Sequence, residues 1–193
     1  MKTLEQYIED AAVAHGHICA GQILGLRLAM HGMKLLGIDD PAGKDRKRLV
    51  TFVEIDRCAT DAVTVVTGCR LGKRALKFRD FGKMAATFCD LTGGRAVRVT
   101  ALESSRERAR GLYPEIQNHG EQQMRAYREM TDEELFTHQW VKVDIRAEDM
   151  PGFKAPRVVC QGCGEQINFS REVEQDGRTL CRACAGEAYY KIV

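Results

Sequence analysis

The sequence predicts an α+β core with a mixed or mainly antiparallel sheet, followed by a small module stapled by cysteines. Three observations carry this. Segments of helical period and segments of strand composition alternate irregularly over the first 147 residues, without the regular strand–helix repeat of a parallel α/β fold. Glycine-marked turns separate successive runs of strand composition between residues 75 and 101. Two Cys-x-x-Cys pairs follow residues 148–156, a stretch with two prolines, one glycine and no periodicity. The 193 residues therefore read as a core over 1–147, a linker over 148–156 and a module over 157–193.

In chain order, Leu4 to Ala14 places Leu4, Tyr7, Ile8, Ala11 and Ala12 on one helical face. The apolar stretch after Gly21 is a second helix, stopped by Gly37. Gly21, Gly25, Ala29 and Gly32 form a bare stripe along it, suited to close approach by a sheet or another helix. Each interior glycine costs about 1 kcal/mol of helix propensity, so packing has to compensate. DDPAGKDRKR reads as a turn and a solvated basic loop, and LVTFVEID as a strand ending in acids. A short helix is expected from about Asp61, with Thr60 or Asp61 as N-cap and Gly68 as its stop. Ala75–Phe81, Lys83–Cys89 and Arg95–Ala101 read as an antiparallel meander turning at Gly82 and at Gly93-Gly94. Residues 103–130 are helical in composition, broken near Pro114 and Gly120. Thr131 to Glu134 has capping-box spacing, and Trp140 to Ile145 alternates as a half-buried strand.

Composition narrows the function classes. A hydrophobic fraction of 44% and a charged fraction of 29% describe an ordinary globular protein, and no run approaches the ~20 apolar residues of a membrane span. The N-terminal segment carries Glu5, Glu9 and Asp10 where a secretory signal would be apolar, so the expected location is the cytoplasm. A net charge of +2, with five basic and five acidic residues from Arg157 onward, argues against nucleic acid as a partner and against a zinc-finger regulator of transcription. Eight cysteines without a secretory signal point to metal or reactive thiols more than to disulfides.

Cys160-Gln-Gly-Cys163 and Cys181-Arg-Ala-Cys184 lie 17 residues apart, the spacing of a four-cysteine structural zinc site. Gly162 and Gly164 allow the tight turn that points two thiolates the same way. A hairpin turning at Asp176-Gly177 and a helix starting at the second pair would complete a treble-clef finger. About 37 residues cannot bury enough apolar surface alone, so the metal supplies the core.

The second cluster is His15-Gly-His17-Ile-Cys19-Ala-Gly21. Alternate side chains of a turning segment can converge, and Cys19 would precede a helix whose positive end favours a thiolate. Glu54, Asp56, Cys58, Asp61 and Cys69 follow as acids and thiols that could complete a site, with Lys73, Arg74 and Lys83 as sources of positive charge. Taken singly, each has an ordinary structural role open to it: exposed strand-end charge for Glu54 and Asp56, core packing for the cysteines.

These blocks, with Val53-Glu-Ile-Asp-Arg-Cys58-Ala-Thr-Asp61-Ala, Thr67-Gly-Cys69-Arg-Leu-Gly72-Lys73 and Asp80-Phe-Gly-Lys83-Met-Ala, resemble in order the motifs of the FmdE family, which takes its name from formylmethanofuran dehydrogenase. The resemblance covers roughly residues 10–100. It implies a metal-binding core, a homodimer, and association with a molybdenum or tungsten oxidoreductase. His17, Cys19, Cys58 and Cys69 match the family's polar pocket, with His15, Asp56, Asp61 and Lys83 around it. Ala20, Arg70 and Ala75 depart from the family pattern. The expected core site is a second zinc or other transition metal held by His17, Cys19, Cys58, Cys69 and His15, with Cys19, Asp56, Asp61 and Lys83 as candidates for chemistry. The competing expectation is an accessory protein of that oxidoreductase without catalysis of its own.

Overall fold

The computed structural model describes all 193 residues and divides them into two compact units, Met1–Asp144 and Ile145–Val193. The first unit begins with α1 (Leu4–His15), opened by a capping box in which Gln6 N–H donates to Thr3 Oγ1 at 3.3 Å and Thr3 N–H to Gln6 Oε1 at 3.0 Å. Tyr7, Ile8 and Ala11 form its buried face. Next comes α2 (Ala20–Leu36), buried along most of its length and stopped by Gly37 in the left-handed region at φ 69°.

The glycine stripe of α2 meets both kinds of neighbour. A Cβ on Gly25 would lie 2.6 Å from Ala59 Cα and 2.9 Å from Ala62 Cβ, so one part of the stripe presses against α3 (Cys58–Thr67). A Cβ on Gly32 would lie 2.3 Å from the Phe88 ring, so another part presses on the sheet. Close packing on both sides offsets the propensity that the glycines lose.

The sheet has five strands, β1 (Leu49–Val53), β2 (Leu76–Phe78), β3 (Ala85–Asp90), β4 (Arg95–Ala101) and β5 (Phe136–Val141), in the order β2-β1-β3-β4-β5. It is mixed, because β1 pairs with β2 in parallel and with β3 antiparallel. The expected meander therefore holds only for β3 and β4. Instead of turning back at Gly82, the chain leaves β2 and crosses the end of β1. Arg79 N–H donates to the Val53 carbonyl, and the amides of Phe81 and Lys83 to that of Glu54.

Two further differences have local causes. Helix α3 starts three residues before the expected Asp61, with Arg57 as N-cap, because the Thr60 hydroxyl donates back to the Ile55 carbonyl instead of capping. Strand β5 starts four residues early and, as an edge strand, leaves Thr137 to Trp140 exposed, so alternation is a poor guide there.

Helices α4 (Ser104–Leu112), α5 (His119–Glu129) and α6 (Asp132–Leu135) cover the remaining core, α6 with the expected Thr131–Glu134 capping box. Arg27 of α2 ties the end of α5 in place. Its guanidinium donates to the carbonyls of Tyr127 and Met130 at 2.8 Å and to Asp132 Oδ1 at 2.9 Å. His31 Nδ1 lies 3.1 Å from Asp132 Oδ2, and these two partners, His31 first, hold the Asp132 carboxyl well below the usual carboxylate range. No helix is long and apolar enough to cross a membrane.

The second unit contains two hairpins, β6 (Val158–Val159) with β7 (Gln166–Ile167), and β8 (Val173–Gln175) with β9 (Arg178–Leu180). Asp176 and Gly177 turn the second hairpin with φ of 52° and 72°. At the last cysteine pair there is one turn, Ala183–Glu187, which contains Cys184, where the sequence predicts a longer helix, and Gly186 at φ 103° breaks it. Residues 148–156, which read in the sequence as a linker, lie inside this unit, with Asp149 paired to Arg146 and Arg171.

Candidate metal centres

In the second unit the sulfurs of Cys160, Cys163, Cys181 and Cys184 all lie within 4.8 Å of one another, with Cys163 and Cys181 at 3.9 Å. A tetrahedral zinc with Zn–S bonds of about 2.3 Å separates its ligands by about 3.8 Å, so this donor set fits zinc. The backbone prepares it. Amides of Cys181 and Gly162 donate to Cys160 Sγ at 3.1 and 3.3 Å, and that of Cys184 to Cys181 Sγ at 3.4 Å. Amide donors, those of Cys181 and Cys163 foremost, bring the Cys160 thiol down to about 6, whereas the surrounding sulfurs push Cys184 up to about 12. Four sulfurs this close cannot all ionise without a cation between them. The two glycines of the knuckle act differently. Gly164 takes a left-handed φ of 77°, while Gly162 is needed for space, since its Cβ would fall 2.9 Å from Cys184 Sγ.

The candidate residues of the core sit where two helices begin. Cys19 is the N-cap of α2 and Cys58 the first residue of α3, and neither start has a side-chain cap. Both cysteines line the bare backbone of Gly21, whose Cβ would be 3.5 Å from Cys58 Cβ and 3.8 Å from Cys19 Sγ. Burial, and then the Cys19 thiol beside it, push the Cys58 thiol up. Asp61 is one turn further along the same face of α3, and its Oδ2 lies 2.8 Å from His15 Nδ1. With Nδ1 engaged, His15 presents Nε2 as its free ring nitrogen. His17 is exposed, its ring 4.8 Å from that of His15.

Not every candidate joins this group. Cys69 follows the far end of α3, about 15 Å of helix rise from Cys58. It is buried, with the Thr51 hydroxyl at 3.5 Å from its sulfur and Lys73 as its nearby charge. This corrects the expectation that Cys58 and Cys69 complete one pocket together. Glu54 is likewise not an exposed strand-end charge: it is buried and gripped by Arg98, with Nε and Nη2 each 2.7 Å from a carboxylate oxygen. Asp56 and Lys83 are on the segments that flank the end of β1, Lys83 exposed and Asp56 on the solvent side. The core donors thus stand as pairs, His15–Asp61 and Cys19–Cys58, and three or more metal-binding side chains converge only in the finger.

Gln22 and Arg98 are the residues that sequence reasoning missed. Gln22 is fully buried, its Nε2 donates to the Cys58 carbonyl at 3.0 Å, and its Oε1 has no donor. It ties the first turn of α2 to that of α3. The only signal was a glutamine among apolar residues, three after Cys19, at capping-box spacing.

An α+β core with a mixed sheet, followed by a four-cysteine zinc module, defines a metal-binding protein of two units. The chain belongs to the FmdE family: the family model described as FmdE, molybdenum formylmethanofuran dehydrogenase operon, matches residues 14–137. Residues 155–190 match the prokaryotic dksA/traR C4-type zinc finger. A probable S-adenosyl-L-methionine-binding protein of Archaeoglobus fulgidus is 32% identical over 206 aligned positions, covering 93% of this chain and 52% of that protein. The chain therefore spans about half the length of this curated relative. A crystal structure of a tungsten formylmethanofuran dehydrogenase FmdE-like protein from Syntrophus aciditrophicus superposes with a TM-score of 0.66 over 98% of this chain and 96% of that one. At 23% identity that likeness speaks to the fold alone.

Proposed function

We propose that the core binds a transition-metal ion, zinc in the first instance, through the paired thiols of Cys19 and Cys58, with His15 drawn in from the neighbouring pair as the third ligand on binding and one position left for a small ligand. The observation that carries this is the His15–Asp61 contact of 2.8 Å beside the paired thiols. A carboxylate on Nδ1 fixes the ring and leaves Nε2 as donor, the usual outer support of a metal-bound histidine. Two sulfurs and one imidazole suit zinc, and three protein ligands are the number that leaves a position open. The ion would supply Lewis acidity toward a ligand there. Asp61 is engaged in orienting His15, so Asp56, two residues before Cys58, is the carboxylate left for proton transfer, with Lys83 as the candidate cation from the segment beyond β2. S-adenosyl-L-methionine, from the name of the Archaeoglobus relative, is a ligand to try at this position.

The test is metal content of the purified full-length protein by mass spectrometry. We expect two equivalents of zinc, one lost in Cys19→Ser and in Cys58→Ser and the other lost on mutating the finger cysteines. A single equivalent that Cys19→Ser and Cys58→Ser both leave unchanged would rule the core site out.

A second reading is an accessory protein of a molybdenum or tungsten oxidoreductase, acting as a homodimer. The family description, which names the operon of the molybdenum enzyme, supports it. Gentle affinity capture from native cells should then recover the large chains of the oxidoreductase, and recovery of the homodimer alone counts against it.

A further inference from the structure

We propose that Cys19 and Cys58 form a redox-active dithiol, closed to an intramolecular disulfide by exchange with a small-molecule disulfide and reopened on reduction. The proposal rests on reading the pair as the sulfur side of the core pocket. The four cysteines of the first unit fall into two kinds. Cys69 and Cys89 are 1% and 5% exposed, and burial pushes both thiols up, Cys89 to about 12. They behave as small hydrophobic side chains. Cys19 and Cys58 are half-buried, so a small oxidant can reach them, and they face each other across a backbone without a side chain.

The approach of the two sulfurs is built into the fold. Each cysteine starts a helix, and the two helices pack so closely at Gly25 that their separation has little freedom. The Gln22 amide fixes the starts themselves by bonding the Cys58 carbonyl. A pair held this way loses little entropy on closing, which favours the disulfide over two separate mixed disulfides.

The exchange has two steps. One cysteine sulfur attacks the oxidant R–S–S–R, forms a mixed disulfide and releases RS⁻. The second cysteine sulfur attacks the first, breaks the mixed disulfide and releases the other RS⁻. Two electrons pass from the cysteine sulfurs to those of the oxidant, and the two cysteine protons end on the released thiols. Sulfurs joined to each other no longer serve as thiolate ligands, so oxidation would also release a core metal.

The full-length protein, loaded with zinc, would be equilibrated in glutathione buffers of graded reduced-to-oxidised ratio, then acid-quenched, alkylated and mapped by peptide mass spectrometry. We expect a Cys19–Cys58-linked peptide pair to replace the two alkylated peptides. In Cys58→Ser the linkage should be lost and glutathione retained on Cys19. Zinc counted in the same samples separates this from the metal reading. If the pair oxidises in a protein that never held core zinc, the redox site stands and the metal site falls. If the pair stays reduced at every ratio, with core zinc present and after its removal by chelation, the dithiol proposal is overturned. Linkage of other cysteines in its place overturns it too.

Discussion

Replacing Gly25 by alanine should destabilise the core, although alanine is the better helix former. The added Cβ would meet Ala59 Cα at 2.6 Å, Ala59 O at 2.9 Å and Ala62 Cβ at 2.9 Å. Carbon atoms prefer separations of about 3.5–4.0 Å, so the overlap is about 1 Å, and against backbone, which cannot rotate away. Overpacking of this kind costs about 3 kcal/mol when no side chain can yield, and helix propensity returns about 1 kcal/mol. The expected net loss is about 2 kcal/mol. With a urea m-value of about 2 kcal/mol/M, the midpoint should fall by about 1 M. Trp140, the single tryptophan, lies on β5 and reports unfolding of the first unit by fluorescence. Gly111→Ala is the control: that glycine is also helical, in α4, and its Cβ would meet nothing within 4 Å. It should hold or raise the midpoint. If Gly25→Ala raises the midpoint as Gly111→Ala does, the argument that close helix approach selects glycine there is refuted.

Three further predictions address other parts of the molecule. Asp132→Asn should lose about 2 kcal/mol at neutral pH, because Arg27 and His31 then keep no carboxylate partner there. A folded-state pKa depressed below the ordinary 3.8 gives stabilisation that is complete above that value, declines below it and is lost as pH falls through the lower folded-state pKa, so the two proteins should converge in urea midpoint only in strong acid and diverge toward neutrality. Arg98→Met should cost about 3–5 kcal/mol by stranding the buried Glu54 carboxylate; the double variant with Glu54→Leu should recover a large part of this, and additive losses in that cycle would argue against coupling. Chelation of zinc should expose Ile145–Val193 to protease while Trp140 fluorescence is retained, since Cys160, Ile167 and Leu180 are that unit's whole buried apolar cluster; a protease-resistant finger without metal would contradict this.

What could be read in the sequence was local. Helix ends at Gly37 and Gly68, the capping box at Thr131 and the turn at Asp176-Gly177 depend on residues within one turn of each other, and the structure has them in place. Non-local pairing was not legible. The parallel β1–β2 contact defeats the expectation that successive strands form hairpins, because the crossing is held by backbone bonds to Val53 and Glu54, which leave no side-chain signature. The same division applies to the candidate site. Asp61 and Cys58 are close in sequence and both stand among the candidates, though only the earlier start of α3 puts them on one helix face; Gln22 lies 36 residues from the carbonyl it holds and Arg98 lies 44 from Glu54. Cys69 fails for the opposite reason: the family resemblance places it in the pocket, yet a ten-residue helix carries it away from Cys58.

The position of Cys19 at the head of α2 has a practical consequence. That helix packs on α3, on the sheet and, through Arg27, on the end of α5, so its first turn is continuous with the most cooperative part of the fold. A compound that binds the folded pocket and not the open chain raises the melting temperature in proportion to the logarithm of its concentration over its dissociation constant. Melting curves read at Trp140 against a panel of metal ions and small metabolites therefore test the proposed pocket for ligands without an activity assay.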